Sequence, residues 1–201
     1  MGVNDTGEAG TREQIVAAAD RLFYRQGYEH TSFSDIADAV RISRGNFYYH
    51  FRSKDEILEA VIEARVAATK GMLAGWERTE DPASRIRSFI HLLFVNRLDI
   101  TRYGCPVGTL SSELAKLEHD SRDEANALFT LFRVWLAREF ARLGRGKESD
   151  ALALHLLALT QGIATLANAF DDEAFIRREV RLLEAWLDDQ CRPRPDARAA
   201  K

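Results

Sequence analysis

Cysteine is scarce: the 201 residues hold only Cys105 and Cys191, far apart and outside any CxxC spacing. Such a pair gives no basis for a disulfide framework or a structural zinc site, and it suits a reducing, cytoplasmic compartment. An excess of charge is also missing. A formal net charge of -3 supplies no overall field for a polyanionic partner, so any such partner has to be met by a local basic patch. The opening "MGVNDTGEAG" has neither the positive start nor the apolar run of a signal peptide, so export is not expected and residues 1–10 read as a loose arm. There is no HExxH, no GxSxG, no phosphate-binding glycine loop and no His/Cys ligand spacing, which leaves enzymatic, cofactor and metal chemistry without a motif. A catalytic reading would have to be assembled from Cys105, Ser111, Ser112 and Glu113, or a metal site from His91, His119 and His155, and no recognised spacing supports either.

What is present is an ordinary globular composition, 46% apolar and 29% charged, with helical periodicity throughout and no convincing period-2 run. The expected fold is therefore all-α. Ile15, Ala19, Leu22 and Phe23 form one helical face over about 11–26, with Gly27 placed to end it. Ser32 and Asp35 make a capping-box-like start for a short helix bearing Ile36, Ala37 and Val40, and Ser43 can cap another bearing Phe47 and Phe51 at i, i+4. Ser53 and Glu56 then form an S-x-x-E box before a stripe through Ile57, Leu58, Val61, Ile62 and Val66 toward Trp76. Asp81-Pro82 starts a further helix through Leu93, "RYGCPVG" (102–108) breaks the pattern, and helices follow at about 107–117, 121–143, 149–170 and 172–190.

The stretch "HTSFSDIADAVRISRGNFYYHF" (30–51) therefore reads as two short capped helices around a tight turn, the helix-turn-helix arrangement that sets one helix into a DNA major groove. Phe47 and Phe51 can fill its small core, while Tyr48, Tyr49 and His50 carry polar tips that a purely structural helix does not require. Arg44, Gly45 and Asn46 sit at the start of that helix, where base edges are met. Arg44 can bond guanine or a phosphate, Asn46 adenine or a backbone oxygen, and Gly45 lets the duplex come close. Ser34 and Ser43 can donate to phosphates, and Lys54 adds a positive charge.

Residues 11–62, and above all "GYEHTSFSDIADAVRISRGNFYYHFRSKDEIL", resemble the TetR family of bacterial transcriptional regulators. The resemblance implies that 43–50 is the recognition helix, with DNA contacts from Ser43, Arg44, Gly45, Asn46, Tyr48, Tyr49 and His50 and phosphate contacts from Ser34 and Lys54. It further implies a helical C-terminal domain that binds a small effector and dimerises through its last two long helices. On that pattern the chain divides into an arm (1–10), a helix-turn-helix domain (11–53), a ligand-binding and dimerisation domain (54–190) and a disordered tail (191–201). One departure stands out: a turn position that is often glycine in the family is Arg41 here.

The run "ALALHLLALTQGIATLANAF" (151–170) carries no formal charge over twenty residues, enough to span a bilayer. Its His155, Thr160, Gln161, Thr165 and Asn168 favour burial between a core and a partner subunit instead. Leu159, Gly162, Ile163, Leu166 and Phe170, with Leu182, Leu183, Trp186 and Leu187 on the next helix, are the expected dimer seam. "YGCPVGTLSSELA" (103–115) resembles a branch of the family associated with control of multidrug or flavonoid efflux. An apolar pocket is expected among Met72, Trp76, Phe89, Leu93, Phe94, Tyr103, Cys105, Phe132 and Trp135, with Gln161 and Asn168 as polar handles, which favours a hydrophobic or aromatic effector. The expected function is a dimeric repressor that binds a palindromic operator and is released by that effector. The alternatives are a DNA-binding regulator with no small-molecule ligand and, well behind it, a helical enzyme.

Overall fold

The computed structural model describes residues 5–78 and 81–192, and the side chains of 10–78 and 81–192. Among them every regular element is a helix: α1 (Asp5–Gln26), α2 (Phe33–Val40), α3 (Arg44–His50), α4 (Lys54–Trp76), α5 (Pro82–Val95), α6 (Arg97–Tyr103), α7 (Pro106–Lys116), α8 (Arg122–Phe140), α9 (Ser149–Phe170) and α10 (Glu173–Cys191). The all-α expectation holds. The first helix begins at Asp5 rather than 11, within the arm expected over 1–10; residues 1–4 of that arm and most of the expected tail lie outside the described residues. α8 ends at Phe140, and a wider π-type turn continues to Arg145, with Gly144 at φ 83° where an L side chain would be strained.

The chain packs as two compact units, the described residues of Met1–Met72 with Cys105–Leu131, and those of Leu73–Gly104 with Phe132–Lys201. In the first unit, Ile15, Ala19 and Phe23 of α1, Ile36 of α2, Phe47 and Phe51, and Ile57, Leu58 and Val61 of α4 share one core with Leu110 and Leu114 of α7. A division made along the chain does not anticipate this. Residues 105–131 rejoin the N-terminal helices because α7 lays its apolar face, Leu110 and Leu114 at i, i+4, against α1.

In the second unit α5 packs on α10, and α9 packs on α6 and α10. Ile86, Ile90, Leu136, Phe140, Leu156, Ile176 and Leu187 form the interior. A charged cluster sits inside it. Glu139 is fully buried, and its carboxylate meets Arg85 at 3.1 Å and Arg142 at 2.7 Å, with Arg138 at 3.4 Å. Such a group is tolerated only because it is paired. α9 is long and apolar enough to cross a membrane by length and composition, yet its inner side carries Ala153, Leu156, Leu157, Thr160, Ile163, Ala164 and Ala167, all buried against its own chain.

Candidate nucleic-acid interface

The reading head is built by caps. The Ser32 side chain accepts from the Asp35 N–H at 3.2 Å while the Asp35 carboxylate accepts from the Ser32 N–H at 2.8 Å, closing the box at the start of α2. The Ser32 hydroxyl, which donates to the same carboxylate at 2.7 Å, and the Ser32 N–H hold the Asp35 carboxyl below its ordinary range. Ser43 caps α3 by accepting from the Asn46 N–H. At α4 the Glu56 N–H donates to Ser53, but the Glu56 carboxylate reaches one residue further back, to the Arg52 N–H at 2.8 Å. Three successive starts are thus fixed by their own side chains.

Arg41 ends α2 in the left-handed conformation, φ 59° and ψ 41°, with its N–H returned to the Ala37 and Asp38 carbonyls. The turn is therefore made by a strained arginine.

α3 is anchored from one side and open on the other. Phe47 and Phe51 are buried, Phe47 edge-on to Phe33 at 5.2 Å, and the Arg12 guanidinium lies 4.8 Å from the centre of the Phe51 ring. Ser34, Ser43, Arg44, Gly45 and Asn46 are exposed, as are Tyr48 (56%) and Tyr49 (71%). Tyr48 stacks on Phe33 at 5.6 Å, and Tyr49 meets the half-buried His50 edge-on at 5.3 Å. A shallow hollow where α2 crosses α3 is lined by Ser34, Arg44 and Tyr48 together with Phe33, Ala37 and Phe47. Gly45 has no neighbour within 4 Å of a hypothetical Cβ, so nothing in its own chain requires glycine there.

Between Ala39 and Lys54 the sequence places Arg41, Arg44, Arg52 and Lys54 and no carboxylate. That is the local basic patch which the overall charge withheld. Lys54 is more occupied than expected: its ammonium donates to the carbonyls of Tyr28 at 3.0 Å and Glu29 at 3.3 Å and lies 4.2 Å from the centre of the Tyr28 ring.

Residues 15–61 match the family described as bacterial regulatory proteins, tetR family. An uncharacterised HTH-type transcriptional regulator in the lacX 3' region of Lactococcus lactis subsp. lactis is 32% identical over 176 residues, 80% of this chain and 90% of that one. The chain belongs to the TetR family. The HTH-type transcriptional regulator LmrA of Bacillus subtilis is 33% identical over 124 residues, 59% of this chain and 65% of that protein. A crystal structure of a TetR transcriptional regulator from Legionella pneumophila superposes with a TM-score of 0.78 at 26% identity, covering 94% of this chain and 98% of that one. The protein is thus a DNA-binding transcriptional regulator rather than an enzyme, as its relatives are.

The rival sites do not assemble. Both Glu113 oxygens are taken by backbone N–H groups. His91 pairs with Glu184 at 2.7 Å, His119 lies against Tyr28, and His155 lies against Trp186. Among the described residues no three metal-ligating side chains gather.

The expected pocket residues are only partly brought together. In the second unit Trp76 lies 5.5 Å from Trp135 and Phe89 lies 5.2 Å from Phe132, with Leu93 also buried. The Trp135 indole donates to Glu77 at 3.0 Å. Tyr103 and Gln161 are half-buried there, whereas Met72 and Cys105 fall in the first unit. Phe94 corrects the expectation: it is on the surface under the Arg97 and Arg177 guanidiniums. Asn168 is exposed and spends its amide on the Thr101 carbonyl at 2.9 Å.

The expected dimer seam divides as well. Gly162, Leu166, Phe170 and Leu182 are exposed, and Leu159 and Trp186 are half-buried. Ile163, Leu183 and Leu187 point into their own unit and are buried there, so they are core rather than seam. Leu154 and Ala158, which complete the exposed apolar stripe of α9 at every fourth residue, were not expected in it.

Proposed function

We propose that this regulator is a homodimeric repressor that places one copy of α3 in each half of a palindromic operator and is released by a small hydrophobic or aromatic effector. The observation that carries the reading is the two-sidedness of α3. Phe47 and Phe51 are buried while Arg44, Gly45, Asn46, Tyr48 and Tyr49 project from a basic, carboxylate-free segment. Arg44 and Asn46 suit base edges near the helix start, and Ser34, Ser43, Tyr48, Tyr49, His50 and Lys54 suit phosphates. Residues 11–53 then read DNA, and 54–190 carry effector binding and dimerisation. Dimerisation is supported by the apolar stripe on α9, and an aromatic effector by the cluster of Trp76, Phe89, Phe132 and Trp135. A cytoplasmic location follows from the DNA target.

Selection of bound fragments from the source genome, then gel shifts at several salt concentrations, tests the reading. A palindromic fragment, a steep loss of affinity with salt, and loss of binding in Arg44→Ala and Tyr49→Ala are the expected results. Equal binding by the variants would overturn it.

A further inference from the structure

The corner between α1 and α2 is gripped from two directions. The Glu113 carboxylate, on α7, accepts the Tyr28 N–H through one oxygen and the Glu29 N–H through the other, both at 2.9 Å. The Lys54 ammonium, at the first residue of α4, takes the carbonyls of the same two residues at 3.0 and 3.3 Å. Residues 28 and 29 therefore have their donors on an anion from α7 and their acceptors on a cation from α4.

The Tyr28 side chain repeats the connection. Its hydroxyl donates to Asp55, next to Lys54, and His119 Nε2 stands 3.2 Å from the same oxygen. The Ser121 N–H donates to His119 Nδ1 at 3.1 Å, which makes Nε2 the proton-bearing nitrogen of the neutral ring, directed at Tyr28. Gly27, at φ 91°, admits the carboxylate: a Cβ there would stand 2.9 Å from the nearer Glu113 oxygen.

We infer that Glu113 is a positioning residue for DNA binding, coupling the placement of α7 to that of the recognition helix through residues 28 and 29, Lys54 and the start of α4. The inference rests on the proposed function and adds the route by which α7 reaches the reading head. Only three residues separate Lys54 from the end of α3, so a shift of the corner is felt at once by the helix that reads DNA. A pair of hydrogen bonds at 2.9 Å suits this role better than packing does, because a displacement of about 1 Å takes both beyond bonding range whereas apolar surfaces slide with little loss.

The test is hydrogen exchange on the full chain with and without the selected operator fragment, for the wild type, Glu113→Ala and Glu113→Gln. Coupling is reciprocal, so DNA should slow exchange across 106–119, far along the sequence from the reading helix, by about fivefold or more in the wild type. In Glu113→Ala that slowing should vanish while DNA still protects 43–50. Glu113→Gln, which keeps the shape and one acceptor, should fall between and serves if the alanine variant does not fold. A brace of purely structural importance would lower the melting temperature of Glu113→Ala and leave the slowing over 106–119 intact, which overturns the inference. So does wild-type exchange over 106–119 that ignores DNA bound at 43–50. Lack of protection at 43–50 itself would instead overturn the DNA-binding reading, and the inference with it.

Discussion

The phenol of Tyr28 donates to the carboxylate of Asp55, an acid held below its ordinary range chiefly by that hydrogen bond. Burial, and after it the same contact, pushes the Tyr28 hydroxyl well above its usual value of 10.0. Above about pH 10 the unfolded chain releases a proton that the folded chain keeps, so the tyrosine's contribution to stability is lost as pH rises through that window. Denaturant midpoints measured from pH 8 to 11 should fall for the wild type and fall less steeply for Tyr28→Phe. At the acid end the sign is opposite in cause. Asp35, Asp55, Asp81 and Asp150 all sit below their ordinary 3.8, so their contribution fades as pH drops below that value.

Arg41→Gly should stabilise the protein. The left-handed backbone at Arg41 costs a non-glycine residue roughly 1–2 kcal/mol, while glycine's greater freedom in the unfolded chain takes back roughly 0.5–1 kcal/mol. A net gain of about 0.5 kcal/mol in urea unfolding is expected. A loss would mean that the arginine side chain makes contacts outweighing the strain.

Much of the reading head was legible because its instructions are local. Ser32 with Asp35, and Ser43 three residues before Asn46, announce helix starts, and Phe47 with Phe51 fixes the phase of α3. The break between α5 and α6 was not legible. Leu93 and Ile100 keep helical spacing across it, and Asn96 spends its amide on the Leu92 carbonyl rather than capping α6. The phase of α9 was only half legible, since a helix with no charge beyond Asp150 has no polar face to say which side turns inward, and Ile163 was assigned outward when it is core. The role of Glu113 had no sequence signal at all. Its partners lie 84 and 85 positions away and are backbone groups, which carry no residue identity.

Glu139 should be the costliest single polar site in the second unit. Replacing it with alanine takes the fully buried carboxylate away from Arg85, whose side chain is 11% exposed, and breaking a largely buried pair in this way costs about 3–5 kcal/mol. Arg142→Ala should cost about 1 kcal/mol or less, because that guanidinium is largely in solvent and Arg85 and Arg138 remain on Glu139. Urea unfolding of the two variants separates them, and equal losses would show that the cluster stabilises as a whole.

The exposed stripe on α9 makes the last prediction. Phe170 is 73% exposed and Leu166 44%, and with Leu154, Ala158 and Gly162 they form a surface that water solvates poorly and a second copy of the chain can cover. A carboxylate introduced there has to be desolvated for the copies to meet, so Leu166→Glu should yield monomers in sedimentation at concentrations where the wild type is dimeric. Ile163→Ala, one turn away but facing inward, should behave oppositely, losing about 2–4 kcal/mol of folding stability while the folded fraction still dimerises. Two half-sites must be bound at once for a palindrome to be read tightly, so the Leu166→Glu monomer should also lose operator affinity with its recognition helix intact. A Leu166→Glu protein that stays dimeric would place the seam on another face.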